Sequence, residues 1–584
     1  MLSSSSRNVL IRKSIAVRYL LLSSTIIIIL WTFHTLISSS HSPPRPVKSA
    51  PRKKDDLTYV LPKHPPRPKA WSDAAEGVKQ AFLHAYHGYD DYAAPFDELL
   101  PMSRKGSNSF NGWGVTVYDS LDTMFLMNLT DEFDRAVSFV AKADFSIPFP
   151  APFFETVIRY LGGLLSAYAL SGNHVLLQKA DDLGRLLSPA FGSKSGLPFY
   201  SVNTVTGVAP ANTHGCLAEI ASCQPEYTYL AKVTGNKTYY DQVAKVMETL
   251  SHAATEKLGG MLPVHWKLDI GRPIDTKLAV GGEADSAHEY LLKQFLLTGK
   301  TDKTALEMYL RTTTHILTHM LYTSPNRGIL YPVATSGEPP HDTATHVFEH
   351  LACFLPGLFA LGAHTLPLDD LPSLADYQRL AQYKLSDVHR WAARGLGEAC
   401  AVLYADQPTG LSPDEAFMQT DPRPILWVDE LDNWSMGGRR GRPPNTTPIK
   451  PAPHVSVQHR GEKDYGVRRA GYELRPEVIE SLYILWRTTG ETHWREYGWD
   501  IFQSIEQSCK TDVGYAALLS VEYFPPARKD SMPSYFMAET LKYLYLLFTD
   551  EDLVPLDKWV FNTEAHPLPV FSWSDEEKIR FGIA

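Results

Sequence analysis

Cysteine is scarce in this chain: Cys216, Cys223, Cys353, Cys400 and Cys509 are all there is in 584 residues. That is too few for a disulfide scaffold, and the odd number leaves at least one thiol unpaired within a monomer. Acidic residues are nearly missing from the first 70 positions, where only Asp55 and Asp56 face 12 Lys and Arg. Of the 56 basic and 65 acidic residues in the whole chain, the remainder therefore holds 44 and 63. An excess of negative charge on that scale argues against nucleic acid as a partner of the main body. Hydrophobic residues make up 44% and charged residues 21%, which excludes disorder throughout and supplies ample material for a large core.

Charge is also absent from one long apolar run, Tyr19 to Ile37, which Arg7, Arg12, Lys13 and Arg18 precede. The run is long enough to cross a bilayer as a helix. Its positive flank predicts a cytosolic tail at 1–18, a transmembrane signal anchor at 19–37 and a luminal remainder. No small-x-small motif ends the run, as a cleaved signal peptide requires. Residues 38–70 are rich in proline and poor in periodicity, and read as an extended stem. The globular part is expected over 71–584, with a polar Gly/Pro-rich loop elaboration near 430–470. Asn128, Asn236, Asn433 and Asn445 each open an N-x-S/T sequon on the side predicted to be luminal.

A recurring stop organises the globular part. Helix-like runs end in LLSAYALSGN, YTYLAKVTGN, YLLKQFLLTGK, FLPGLFALGAH and LYILWRTTGE, with Gly172, Gly235, Gly299, Gly362 and Gly490 separated by 63, 64, 63 and 128 residues. Glycine just past a helix is the expected C-terminal cap. A period near 64 reads as one helical hairpin per repeat, with the last gap covering two. Upstream of each stop stands a carboxylate: Glu155, Glu219, Asp285, Glu349 and Glu477. If the hairpins close into a ring, these groups converge at one end; in an open solenoid they spread along a surface.

A converging set of carboxylates suits glycoside cleavage, which needs one acid to protonate the leaving oxygen and one base or nucleophile. It also suits a hard cation. Phe153, Phe154, Tyr290, Tyr535 and Phe536 are aromatic candidates for sugar faces. A rival chemistry is spelled by His346, Glu349 and His350, the H-x-x-E-H of a zinc peptidase when both histidines share one face of a helix.

From Ala81 to Pro569 the chain resembles the class I α-mannosidases, glycoside hydrolase family 47. The resemblance rests on separated motifs in order: DELLPMSR and WGVTVYDSLDTMFLM, then FFETVIRYLGGLLSAYALSGN, LAEIASCQPEYTYLAKVTG, ADSAHEYLLKQFLLTGK, FEHLACFLPG, TGLSP, LRPEVIESLYILWRTTG, FMAETLKYLYLLF and VFNTEAHPLP. It implies an all-α fold, an (α/α)7 barrel of repeated helical hairpins preceded by the transmembrane helix and stem. It implies an inverting enzyme that removes α-1,2-linked mannose from high-mannose N-glycans in the endoplasmic reticulum or Golgi membrane. By the same resemblance Glu155 is the general acid and Glu477 the base, with Asp285 a second candidate. Glu219, Glu226, Glu289, Glu480, Glu539 and Glu564 match further acidic positions of the sugar pocket. Thr563 matches the threonine that holds a calcium ion, and Cys353 and Cys400 match the family's disulfide; a buried thiol is the reading for the other three cysteines. The chain departs from the family pattern at Ala287 and His288, where an aromatic pair is common. At Glu283 the endoplasmic-reticulum members carry arginine. A glycan-binding protein of quality control, built on the same fold with weak or no turnover, is the alternative.

Overall fold

The computed structural model describes residues 66–371, 378–452 and 462–583, and these form one compact unit. The cytosolic tail and signal anchor expected at 1–37, and the stem up to residue 65, lie outside the described residues. Among the described residues no helix is long and apolar enough to cross a membrane.

The first helix, α1 (Trp71–Tyr92), is followed by α2 (Val115–Leu126), α3 (Thr130–Val140), α4 (Gly162–Ser171) and α5 (His174–Leu187). Next come α6 (Gln224–Thr234), α7 (Lys237–Ser251), α8 (Asp285–Leu297), α9 (Lys303–His315), α10 (Leu355–Thr365) and α11 (Leu385–Ala405). The series ends with α12 (Trp427–Met436), α13 (Glu477–Thr489), α14 (His493–Ser508), α15 (Leu541–Phe548) and the short α16 (Asp575–Phe581). Packing among them is cyclic. Helices α2, α4, α6, α8, α10, α13 and α15 each touch the next, and the π-helical turn Phe536–Thr540 that leads into α15 returns to α2. Outside this ring α3, α5, α7, α9, α11 and α14 each back the inner helix they follow, while α1 backs α15. Seven hairpins thus close on themselves among the described residues, the last joining the two ends of the unit.

Burial follows from that arrangement. An inner helix is covered on every side, so Ser286 through Leu297 of α8 are all buried, whereas outer helices such as α5 bury one stripe, Leu176, Ala180, Leu183, Gly184 and Leu187. The glycine stops hold in part. Gly172, Gly235 and Gly490 take the left-handed conformation at helix ends, and a Cβ on Gly172 would meet nothing, so backbone conformation alone demands glycine there. Gly362 is different. It lies inside α10, which runs on to Thr365, and a side chain there would collide with the Tyr309 hydroxyl; its glycine makes room for the neighbouring hairpin.

The chain is helix-rich, as expected, and short antiparallel sheets that the sequence did not announce dress the connections between helices. Those near the site are β1 (His214–Cys216), β2 (His265–Lys267) and β3 (Arg272–Pro273), then β4 (Val347–Glu349), β5 (Glu415–Met418) and β6 (Tyr465–Arg469). A hairpin of β7 (Trp559–Phe561) and β8 (Pro567–Pro569) closes the set. Runs of two to five residues are too short to carry a legible alternation. The polar elaboration at 430–470 is narrower than expected, since its first residues belong to α12 and its last to β6. The stem boundary also moves. Arg67 reaches Asp500 at 2.7 Å and the Glu496 carbonyl at 3.0 Å, and Trp499 Nε1 donates to the Pro66 carbonyl, so residues before Trp71 already dock on α14.

Cys353 and Cys400 form the one disulfide among the described residues, tying the entry of α10 to α11. Cys223 and Cys509 are buried thiols. Cys216 is not: it is half-buried at the end of β1, beside Glu219.

Candidate active site

The carboxylates named from the sequence sit at the N-terminal ends of the inner helices, and ring closure brings them to one end of the barrel. Glu155 ends the short turn Phe153–Glu155, from which a π-helical stretch, Thr156–Leu161, leads into α4. Its apolar surroundings in sequence do not enclose it. A third of its side chain (34%) remains exposed, and Arg159, one turn on, reaches back to Oε2 at 2.9 Å. The same guanidinium contacts Glu564 at 2.7 Å and lies over the rings of Phe110 and Tyr535.

Glu477 is the first residue of α13. His350 Nδ1 stands 2.9 Å from its Oε2, and His350 Nε2 meets the Tyr404 hydroxyl at 2.7 Å. Burial pushes the Glu477 pKa up, but the His350 contact and the nearby Arg475 overcome it and hold the carboxyl below its ordinary value. Asp285, the first residue of α8, goes the other way. Burial, reinforced by Glu289, Glu477 and Glu349, pushes it up to about 7, against the pull of the Ser286 N–H on its Oδ1. Two carboxyls from different hairpins that feel one another are thereby shifted in opposite directions.

The floor is the tip of the β7–β8 hairpin. Asn562 Nδ2 donates to Glu226 Oε1 at 2.8 Å, and Tyr290 Oη donates to the same oxygen at 2.5 Å. The Thr563 N–H donates to Tyr290 Oη at 3.3 Å. Lys293 pairs with Glu289, lies 3.5 Å from Glu480 and donates to the Asn562 carbonyl. Glu539 comes from the π-turn before α15. Burial raises Glu226 to about 7 against the hydrogen bonds from Tyr290 and Asn562, and burial together with neighbouring carboxylates lifts Glu480, Glu539 and Glu564 above their ordinary values. Glu219, on the turn Leu217–Ile220, is raised by burial as well. Glu226, Glu289 and Glu480 thus meet the hairpin tip through Asn562, Tyr290 and Lys293, and Glu219 feels the charge of Glu155. Of the aromatic candidates, Phe153, Tyr290 and Phe536 are core, while Phe154 and Tyr535 keep some exposure.

The zinc arrangement is absent. His346 to His350 is not helical: β4 occupies Val347–Glu349, and four residues of extended chain span about 13 Å where a helix would advance about 6 Å. His346 Nδ1 contacts the Tyr331 hydroxyl at 2.9 Å, while His350 belongs to Glu477 and Tyr404. Glu349 instead accepts from the Gly282 N–H at 2.9 Å. Of the departures at 283, 287 and 288, two are internal. Ala287 is core, and His288 is buried with Nε2 on the Ala279 carbonyl. Glu283 is on the rim with φ +72°, paired with Lys277 at 3.0 Å and 3.7 Å from His265.

Several functional neighbours escaped the sequence reading. Arg159 and Lys293 stand four residues after Glu155 and Glu289, a helical ion-pair spacing that was there to be seen. The partnership of His350 with Glu477 joins segments 127 residues apart and left no local signal.

The Glycosyl hydrolase family 47 model matches residues 81–570. The endoplasmic reticulum mannosyl-oligosaccharide 1,2-alpha-mannosidase of Rattus norvegicus is 36% identical over 510 residues, covering 86% of this chain and 69% of its own. The mannosyl-oligosaccharide 1,2-alpha-mannosidase MNS3 of Arabidopsis thaliana is 35% identical over 533 residues, covering 86% and 80%. The solved structure of an alpha-1,2-mannosidase from Trichoderma reesei aligns with TM-score 0.73 at 26% identity, over 86% of this chain and 99% of that one. A helical ring with carboxylates gathered at one end, matched along most of its length by these relatives, places the chain in glycosyl hydrolase family 47.

Proposed function

We propose that the protein is an inverting, calcium-dependent glycosidase that removes α-1,2-linked mannose from high-mannose N-glycans, and that it works in the secretory pathway, held to the membrane by Tyr19–Ile37. The observation that carries the chemistry is the opposed tuning of Glu477 and Asp285 inside one pocket. Held ionised by His350, Glu477 is the base that takes a proton from water as the water attacks the anomeric carbon. Glu155, at the open edge and fixed by Arg159, delivers the proton to the departing oxygen. Asp285, protonated about half the time near neutrality, donates a hydrogen bond to the sugar between them. The substrate class follows the names of the relatives, as does the endoplasmic reticulum as a compartment, with the Golgi the other member of the same pathway.

A calcium ion fits the residues at the floor. No protein group among the described residues hydrogen-bonds the Thr563 hydroxyl or carbonyl, leaving two hard oxygens free. Around them Glu226, Glu289, Glu480, Glu539 and Glu564 outnumber Lys293 and Arg159, a buried excess of acid whose charge a cation would balance. Among the described residues no three acidic, imidazole or thiolate groups converge to chelate a metal directly, so Thr563 and water would supply the ligands. When bound, the ion would fix mannose hydroxyls. A purely glycan-binding role is less favoured, because binding alone gives no reason to hold Glu477 ionised beside an enclosed acid.

The test is incubation of the full chain with a high-mannose glycan, following loss of hexose by mass and the anomer first released by NMR. β-Mannose is expected. Intact glycan would overturn the enzyme reading, and α-mannose the inverting one.

A further inference from the structure

Beneath the pocket floor lies a second charged cluster that the chemistry above does not use. His566 is fully buried, with Nδ1 2.8 Å from Asp122 Oδ2 and Nε2 3.4 Å from Asp119 Oδ1. Both aspartates belong to α2 and, three residues apart, share one face. An imidazole with a carboxylate on each nitrogen donates from both only as the imidazolium. Lys542 of α15 lies 2.8 Å from Asp122 and donates to the Ala565 carbonyl at 2.7 Å, and Ser166 of α4 donates to Asp122 at 2.8 Å.

The cluster has two outlets. One is the hairpin tip: Asn562 Oδ1 accepts from the Glu564 and His566 N–H groups at 2.9 and 2.8 Å, so the Asn562 side chain ties the backbone of His566 into the turn that carries Thr563 and Glu564. The other is Asp119, which accepts from Ser534 and stands 3.9 Å from Arg159, the residue that holds Glu155. Helix α4 is shaped for the turn. A Cβ on Gly162 would lie 2.6 Å from Asn562 Nδ2 and 3.0 Å from His566 Cδ2, whereas one on Gly163 would meet the Tyr118 carbonyl oxygen of α2 at 2.4 Å. Gly162 of LGGLL makes room for the turn, and Gly163 for α2, the helix that carries Asp119 and Asp122.

We propose that His566 is a positioning residue that sets Thr563 through the Asn562–His566 turn and Glu155 through Asp119 and Arg159. This rests on Thr563 as the calcium-holding residue and Glu155 as the proton donor. The dual role predicts a dual loss. Groups that orient a site from behind typically cost about 10–100-fold in metal affinity or activity when replaced. Cutting only the Asp119 outlet should spare the metal.

The experiment compares wild-type full chain, His566→Asn and Asp119→Asn, each checked for a cooperative thermal transition. Calcium binding is read by titration calorimetry, and kcat and KM on a high-mannose glycan at saturating calcium. His566→Asn should weaken calcium at least tenfold and lower kcat about tenfold, with KM within about twofold. Asp119→Asn should lower kcat similarly and leave calcium affinity near wild type. Wild-type affinity and kcat in His566→Asn would overturn the inference while the calcium reading stands. If wild type itself binds no calcium, the metal reading falls, and kcat judges the Glu155 outlet alone: an unchanged value in His566→Asn overturns it. Should His566→Asn fail to fold, Asp119→Asn decides that outlet, and a wild-type rate there overturns the inference.

Discussion

His350 Nδ1 and Glu477 Oε2 lie 2.9 Å apart at the head of α13, and the far side of the imidazole rests on the Tyr404 hydroxyl. The histidine opposes the burial that would otherwise raise Glu477. Replacing it by phenylalanine keeps the volume but removes the opposition, so the carboxyl should bind its proton more tightly. A base works only when ionised, hence the acidic limb of kcat/KM should move to higher pH, by about one unit or more. A pH–rate profile of His350→Phe checks this; an unshifted limb would mean that Glu477 is not the group reported.

Glu155→Gln and Glu477→Gln should each fold, bind glycan and lose ~100-fold or more of turnover, the usual share of a general acid or base. Asp285→Asn separates the roles. It keeps a hydrogen-bond donor in place of a group already raised to about 7, and so should retain more activity than either. If Asp285→Asn is dead while Glu477→Gln turns over, the base is Asp285.

The hairpin period was legible because it is local: a glycine stop and an acid at a helix start recur at near-equal spacing along the chain, whereas the convergence of those acids waits on ring closure. What was hidden is long-range. Gly362 looks like a cap in its own segment, and only the Tyr309 hydroxyl from the adjacent hairpin shows that it is a space-maker. Likewise H-x-x-E-H has helical spacing on paper, yet β5 pairs with it and draws it into a strand. Partnerships such as His350 with Glu477, or His566 with Asp119 and Asp122, exist only once the ring closes. The resemblance named the pocket acids but not the cations that hold them, Arg159 and Lys293, whose i,i+4 spacing to Glu155 and Glu289 stands in the sequence.

Glycan attachment should be uneven. Asn128, Asn236 and Asn433 are exposed, whereas Asn445 is half-buried and its Nδ2 donates to the Gly328 carbonyl at 2.8 Å. Peptide mass mapping of protein from a secretory host, before and after glycosidase digestion, should find modification among the first three and little at Asn445. All four bare would count against a luminal placement.

The raised carboxyls give the metal-free protein an unusual pH response. Unfolded carboxyls titrate near pH 4, but Asp285 and Glu226 are pushed up to about 7, and Glu480, Glu539 and Glu564 are also raised. Above about pH 4 the folded state therefore binds more protons than the unfolded one, so stability falls as pH rises toward these higher values. Asp122 works in the opposite sense. Burial alone would raise it, but Lys542 and His566 hold it at about 2, so its contribution is complete above its unfolded value and is lost only as pH falls toward 2. Burial keeps His288, held at about 4, and His315 and His389, held at about 3, neutral in the fold, and these add stability as pH rises toward their unfolded value near 6.5. The window from about pH 6.5 to 8 thus belongs to the raised group. Calcium bound among ionised carboxylates should offset the loss, by ~2.7 kcal/mol at a hundredfold excess over Kd. Thermal scans in chelator should show a lower Tm at about pH 8 than at about pH 6.5, and calcium should raise Tm more at the higher pH. A Tm that is level or rises with pH in chelator would mean that these carboxyls are already ionised without a metal, and the case for a cation at Thr563 would lose its physical basis.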